Sequence, residues 1–247
     1  MGNWTAETRE RIALLTFHRA PDNQMDLASL DELAGHLEDI SKRTGEVSVV
    51  LLKSSVDGIF IKHADLDILR RAAAGTLSPA DAGTWPRTLA LLESLPQPVV
   101  AAIDGQAWGG GLETALAATL RVASVRSHFS QPEIRNGLIP GGGGTQRLPR
   151  LIGSGPAADL ILTGRTIGSE EALRLGILNA VLPTEDFDRH AMEWAALVAR
   201  NPAPALFAAK RALLDGRPLP LTDGLALEAD LFRQVIPLSA FAPTAAA

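Results

Sequence analysis

The chain has 247 residues and no cysteine; 46% are hydrophobic and 21% charged, with a formal net charge of −5. Without thiols there is no disulfide framework, thiolate zinc site or cysteine nucleophile, and an acidic chain with no basic stripe is not built to bind a phosphate backbone, which argues against nucleic acid as a partner. The length fits one large domain, or a domain with a smaller appendage, burying roughly 70–75% of its unfolded surface.

Met1 to Glu10 carry charges and no apolar stretch, so no secretory signal is expected, and Ala6 breaks the myristoylation pattern that Gly2 begins. Ile12 to Phe17 reads as a strand. Leu27, Leu30, Leu33, Leu37 and Ile40 lie at helical spacing. Val47 to Leu52 is a continuous, largely β-branched run, as in a strand buried on both faces. A loop with Asp57-Gly58 follows, then Phe60 to Leu66. Ala80 to Leu95 predicts a helix that stops before Pro96 and Pro98, and Val99 to Ile103 is another buried strand, closed by Asp104-Gly105. This alternation predicts an α/β core with crossover connections. From Thr145 onward helices dominate, interrupted by Ile177 to Leu182. Asp186 to Arg200, Ala203 to Leu214 and Leu225 to Val235 are expected helices, with Pro202, Pro218 and Pro220 between them. They divide the chain into a core over 1–185 and a helical C-terminal subdomain over 186–247, packed on the core or on a neighbouring subunit. The tail from Pro237 is expected to fray. The longest apolar runs, such as Leu175 to Leu182, are far short of a membrane span, so a soluble, cytoplasmic chain is expected.

Several chemistries lack their pattern. His18, His36, His63, His128 and His190 form no metal-binding spacing, so no metal is expected. Gly153-Ser154-Gly155 is not a hydrolase nucleophile elbow, and Gly141 to Gly144 has no Lys-Ser or Lys-Thr after it, as a phosphate-cradling loop would. Three segments remain. Gly105 to Glu113 runs from a buried strand into an Ala-rich helix, Thr114 to Ala118. Its glycines allow close backbone approach and leave amide N–H groups free at a helix N-terminus, where developing negative charge is favoured. Glu113 falls in the first turn, as a reacting group or as an ordinary first-turn residue. Ser130-Gln131-Pro132-Glu133-Ile134, followed by Gly137-Leu138-Ile139-Pro140, holds a carboxylate beside a proline; that suits an acid–base residue and equally a surface glutamate. Phe60 to Leu66 contains Asp65, which can simply cap a helix.

Together these segments resemble the enoyl-CoA hydratase/isomerase, or crotonase, superfamily, from about Arg19 to Phe232. The strings that carry the likeness are Gln131-Pro132-Glu133-Ile134 through Ile139-Pro140-Gly141, then Gly143-Gly144-Thr145-Gln146-Arg147-Leu148. Leu162-Thr163-Gly164-Arg165, Glu171-Ala172 and Gly176-Ile177-Leu178-Asn179 continue it in the family's order. The resemblance implies a ββα-spiral core that binds an acyl thioester of coenzyme A, with no metal or redox cofactor. It implies an oxyanion hole made by the backbone N–H groups of Ala64 and Gly110. Glu113 and Glu133 stand at the positions of the two hydratase glutamates, Glu113 activating water and Glu133 supplying the proton at Cα. His63, Asp65, Leu66, Trp108, Gly109, Pro132 and Gly141 adjoin them as substrate-pocket candidates. The implied activity is reversible addition of water to a trans-2-enoyl-CoA. The alternatives are double-bond isomerisation or another crotonase reaction, and a catalytically weak acyl-CoA-binding paralogue. The implied assembly is a homotrimer, or a dimer of trimers, formed through the helices after Glu185.

Four departures accompany the likeness. His63 stands where the family usually has glycine, so it either reshapes the thioester pocket or points away; if the backbone there is left-handed, histidine adopts it less readily than glycine. Trp108 stands where small residues are common, narrowing the acyl pocket or packing in the core. Thr119 replaces an aspartate. The family's final Glu-Gly…Ala-Phe…Lys-Arg segment, which contacts the coenzyme partly from a neighbouring subunit, has no counterpart, which leaves open how the adenosine end is held.

Overall fold

A computed structural model describes residues 2–242. Its larger sheet has six strands in the order β1 (Trp4–Arg9), β2 (Ile12–Phe17), β3 (Val49–Ser54), β5 (Val99–Ile103), β7 (Leu120–Ser124) and β10 (Ala180–Leu182). The smaller sheet has the order β4 (Ile59–Ile61), β6 (Gln106–Trp108), β8 (His128–Ser130) and β9 (Thr166–Gly168). Only the β1–β2 and β8–β9 pairs are antiparallel.

The two sheets are built together. Each of β3, β5 and β7 is followed by a short strand of the smaller sheet and then by helix. After β4 come α2 (Leu66–Ala73) and α3 (Pro79–Ser94), after β6 comes α4 (Gly110–Ala117), and after β8 come α5 (Gly144–Ile152) and α6 (Ser154–Thr163). This is a ββα spiral of three turns, as the resemblance implies, and α/β in class as expected. Parallel neighbours lie roughly 4.8 Å apart, so the segments leaving β4, β6 and β8 emerge side by side. These segments carry Ala64, Gly109-Gly110 and Gln131-Pro132-Glu133.

The continuous apolar runs have the physical basis expected of them. Alternate residues of the larger sheet face opposite ways: Leu15, Val50, Leu52, Ala101 and Ile103 pack with α1 (Leu27–Lys42) and the spiral helices, and Leu14, Val49, Leu51, Val100 and Val122 pack against α8 (Phe187–Ala199). α9 (Ala203–Gly216) is tied in by Lys210, whose buried ammonium donates to Leu95 O at 2.6 Å and Gln97 O at 3.0 Å. Burial pushes that amine down to about 8.

Two expectations need correction, and one strand was not foreseen. α10 spans Leu221–Val235, beginning directly after Pro220 rather than at Leu225; Gly224, which looks like a breaker, sits inside the helix where α10 passes close to Gly216 of α9. The chain does not fray at Pro237, since Ile236–Leu238 forms a 3-10 turn; the end of that tail, 243–247, lies outside the described residues. Trp4–Arg9 is a strand although nearly all of it is exposed, because it hydrogen-bonds along the edge of β2 and buries only Trp4.

One buried cation fixes the helix that carries Glu113. Arg121, 5% exposed, sends Nη1 to Ala118 O at 2.7 Å and Ala115 O at 3.3 Å, and Nε to Ile177 O at 2.7 Å. A positive charge at the C-terminal carbonyls of α4 is favoured by the helix dipole. Burial lowers the guanidinium to about 10, which leaves it charged at neutral pH. Arg121→Met keeps the stem but strands the buried carbonyls of Ala118 and Ile177, while Ala115 O keeps the Ala118 N–H. It is expected to cost about 3 kcal/mol, read as a lower urea midpoint at unchanged m-value.

Candidate active site

Gly109 is the N-cap of α4 with φ +51 and ψ −123, a conformation that glycine takes without a steric penalty. It turns β6 sharply into the helix, so Gly110 opens α4 and its N–H has no carbonyl one turn behind it. Ala64 forms an isolated parallel bridge with Met25, in which Met25 N–H donates to His63 O at 3.0 Å and Asp65 N–H to Met25 O at 2.8 Å. The neighbours' groups face Met25, so the Ala64 N–H points the other way and has no protein acceptor among the described residues. A Cβ built on Gly110 would lie 3.3 Å from Ala64 N. Two unpaired N–H donors therefore sit side by side, the arrangement that stabilises a developing oxyanion.

Glu113 lies in the first turn of α4 and is 3% exposed. Its Oε1 accepts from Gly142 N at 2.7 Å and Gly144 N at 2.8 Å, the latter at the N-terminus of α5. Arg147 braces this loop by donating to Gly142 O at 2.9 Å and pairing with Glu93 at 2.8 Å. Oε2 accepts no hydrogen bond among the described residues. Burial pushes the Glu113 carboxyl above the ordinary value; the Gly144 and Gly142 N–H groups and the Arg147 charge pull the other way.

Glu133 stands in the 3-10 turn Pro132–Asn136 and is half-buried. A Cβ on Gly109 would lie 2.9 Å from its Oε1, so it flanks the same glycine corner as the N–H pair. Burial is the main force pushing its carboxyl up to about 7, and the Glu113 charge pushes the same way. The wholly buried Gln131, with its amide turned to donate, sits 3.1 Å from both Oε1 and Oε2 of Glu133.

The pocket candidates fare unequally. His63 is not among the left-handed non-glycine residues, which are Glu10, Arg11, Asn23 and Asp186, so the expected strain does not arise. Its Nδ1–H donates to Ala64 O at 2.6 Å, and its Cβ lies 3.7 Å from the Cβ position of Gly109, beside the site. Asp65 is spent on capping α2, accepting from Asp67 N at 3.0 Å, and on an ion pair with Arg19 at 3.0 Å. Leu66 opens α2 with 42% of its surface exposed. Trp108 donates from Nε1 to His128 Nδ1 at 3.1 Å, which draws its ring toward β8. Pro132 opens the Glu133 turn, and Gly141 is exposed, with open space on its side-chain side. Thr119 accepts from Val99 N at 3.1 Å, a structural task.

The enoyl-CoA hydratase/isomerase family model matches residues 7–241. The chain belongs to this family. YngF of Bacillus subtilis, described by the same family name, is 38% identical over 92% of this chain and 87% of its own. The short-chain-enoyl-CoA hydratase of Clostridium acetobutylicum is 33% identical over 94% of this chain and 88% of its own. The crystal structure of an enoyl-CoA hydratase from Bacillus anthracis superposes with a TM-score of 0.88 at 34% identity, covering 95% of this chain and 91% of that one. The fold is the crotonase fold, and the relatives support an enzyme of the crotonase hydratase type.

In this crotonase, sequence reasoning missed several groups that complete the site. Gln131, Gly142, Gly144 and Arg147 lie in or beside strings used for the family likeness, but nothing in their spacing reveals that they hold the two glutamates. Trp85 on α3 carries no motif at all, yet a Cβ on Gly110 or Gly142 would strike its ring. Among the described residues no group of three or more His, Asp or Glu side chains could hold a metal ion, and no helix is long and apolar enough to cross a membrane.

The carboxyl of Glu133 is expected to titrate near 7 in carbon-13 NMR spectra. Its midpoint should fall in Glu113→Gln, since removing the neighbouring negative charge makes ionisation easier. An unchanged midpoint would show that the two carboxyls do not interact.

Proposed function

We propose that this protein hydrates a trans-2-enoyl-CoA thioester to the 3-hydroxyacyl-CoA, reversibly and by syn addition. The observation that carries the reading is the convergence of two carboxyls on one pair of unpaired backbone N–H groups. In this reading the thioester oxygen lies between Ala64 N–H and Gly110 N–H. Glu113, anchored through Oε1, uses Oε2 to take a proton from water as the water oxygen bonds to Cβ. The alkene electrons move to Cα and the thioester oxygen, and Glu133, in its protonated form, delivers a proton to Cα. Two carboxyls can divide these roles when their surroundings separate their ionisation. No metal or redox cofactor takes part; coenzyme A enters as part of the substrate.

The assembly in this reading is a homo-oligomer, trimeric or a dimer of trimers, acting in the cytoplasm. It is supported by an apolar face on α10, where Leu221, Leu225 and Phe232 are 78%, 52% and 59% exposed. Such a face on a helix is a contact surface in want of a partner. Light scattering is expected to give a multiple of 26.1 kDa; a monomer at micromolar concentration would discard the assembly.

Glu113→Gln and Glu133→Gln are each expected to lower kcat by about 10²–10⁴, followed as loss of enoyl-thioester absorbance. Ala64→Pro removes one oxyanion donor and should cost about 10²–10³. Hydration needs Glu133 protonated, so its rate should fall as pH rises through about 7, where that carboxyl ionises. If the absorbance of short- and long-chain substrates stays unchanged with the wild-type protein, the hydratase reading fails. Product identification after incubation with a 3-enoyl-CoA separates it from isomerisation.

A further inference from the structure

We propose that Trp85 is a positioning residue for Glu113, its indole N–H facing the free carboxylate oxygen and holding it aligned and ionised for work on water. The role of Glu113 in that statement rests on the hydratase reading above; the placement of the two side chains around Gly142 does not.

The indole lies across two glycines that come from different turns of the spiral. A Cβ on Gly110 would overlap Cζ2 of the ring and lie 2.6 Å from Cη2. A Cβ on Gly142 would overlap Nε1 and lie 2.6 Å from Glu113 Oε2. Thus Nε1–H and Oε2 border the same small space, the one left open by the missing side chain at 142. Nε1 is buried and has no hydrogen-bond partner among the described residues. Leaving such a donor unpaired in a closed site costs about 1–3 kcal/mol, and an unsatisfied buried group at a reactive centre calls for a functional account. Glu113 supplies the complementary half, because Oε1 already receives Gly142 and Gly144 while Oε2 receives no donor.

The other charged groups around Glu113 leave this task open. Arg147 of α5 acts on the carboxyl from the Oε1 side, where it also holds Gly142 O and pairs with Glu93 of α3. Glu133, from the 3-10 turn, is a carboxyl itself and opposes ionisation of its neighbour. A neutral N–H dipole at Oε2 favours the ionised form without adding a cation that would also draw charge from Glu133. The benzene edge of the same ring rests on Gly110, so one rigid side chain spaces the carboxylate from the oxyanion N–H pair. Phenylalanine would keep most of that wall and lose the donor.

The test is Trp85→Phe, read three ways. The indole N–H signal of Trp85 in the wild-type nitrogen-15 spectrum, assigned by triple resonance, is expected to shift with the titration of Glu113 and to lose that step in Glu113→Gln. The Glu113 carboxyl, followed by carbon-13, is expected to titrate at higher pH in Trp85→Phe. In the hydratase assay, kcat is expected to fall about fivefold to tenfold, the loss of one hydrogen bond. KM should stay within about twofold, and the acid limb of the pH profile should move upward. An indole signal blind to Glu113, an unmoved carboxyl titration, or a change in KM alone overturns the proposal and leaves Trp85 as a pocket wall. If Trp85→Phe does not fold, the wild-type and Glu113→Gln spectra decide by themselves. If the wild-type protein hydrates no enoyl thioester, the functional reading fails while the two NMR measurements still decide the contact.

Discussion

Keeping the Glu113 carboxylate charged inside the protein is the constraint around which the rest is arranged. An ionised carboxylate out of water is costly unless donors replace its hydration, and here two backbone N–H groups converge on one oxygen. Those donors exist only because Gly142 and Gly144 bring the chain close enough, with the start of α5 aimed at the carboxylate. Arg147 holds the loop in that shape, and Arg121 holds the far end of the helix that presents Glu113. Loop, helix terminus, the buried Arg121 and the half-buried Arg147 thus serve one oxygen, and the other oxygen accepts no hydrogen bond among the described residues.

Burial acts on both glutamates in the same direction, and the difference between them comes from their partners. Glu113 has backbone donors and a guanidinium to offset desolvation. Glu133 has its own backbone N–H and the neighbouring Gln131 amide against the upward push of burial, to which the Glu113 charge adds. In the proposed hydration this difference assigns Glu113 to the base and Glu133 to the acid. Between them lie two N–H groups that need no reorganisation to meet a developing oxyanion. The crotonase relatives are named for hydration of enoyl thioesters, and this electrostatic division is what such chemistry asks of a site.

Much of the architecture was legible from pattern. Val99–Ile103 is a strand with the bounds its apolar run indicates, and the helix over Leu27–Ile40 extends only to Lys42. Runs buried on both faces are readable because no polar residue interrupts them. The strands of the smaller sheet were not, since three residues such as Gln106–Trp108 or His128–Ser130 carry no period. β1 escaped notice because an exposed edge strand shows almost no apolar signal. At the site, Glu113, Glu133, Ala64 and Gly110 were found through their strings, and the structure brings the four to one corner. Gln131 stood in the open without a role, and Trp85 had no local signal, because its importance lies in contact with glycines distant in the chain.

By itself, the sequence determined the class of the fold and the family, and it singled out two carboxylates and two backbone donors as the candidate site. These depend on composition, periodicity and short strings, which are local properties. Only the tertiary structure decided that Ala64, Gly110 and Glu133 leave three adjacent strands of one small sheet, and that His63 needs no left-handed backbone. It also decided that Asp65 serves as a cap and that Trp85 and Glu113 border the same space at Gly142. Each of these depends on which backbone segments pack against which, and that is set by how three turns of the spiral stack.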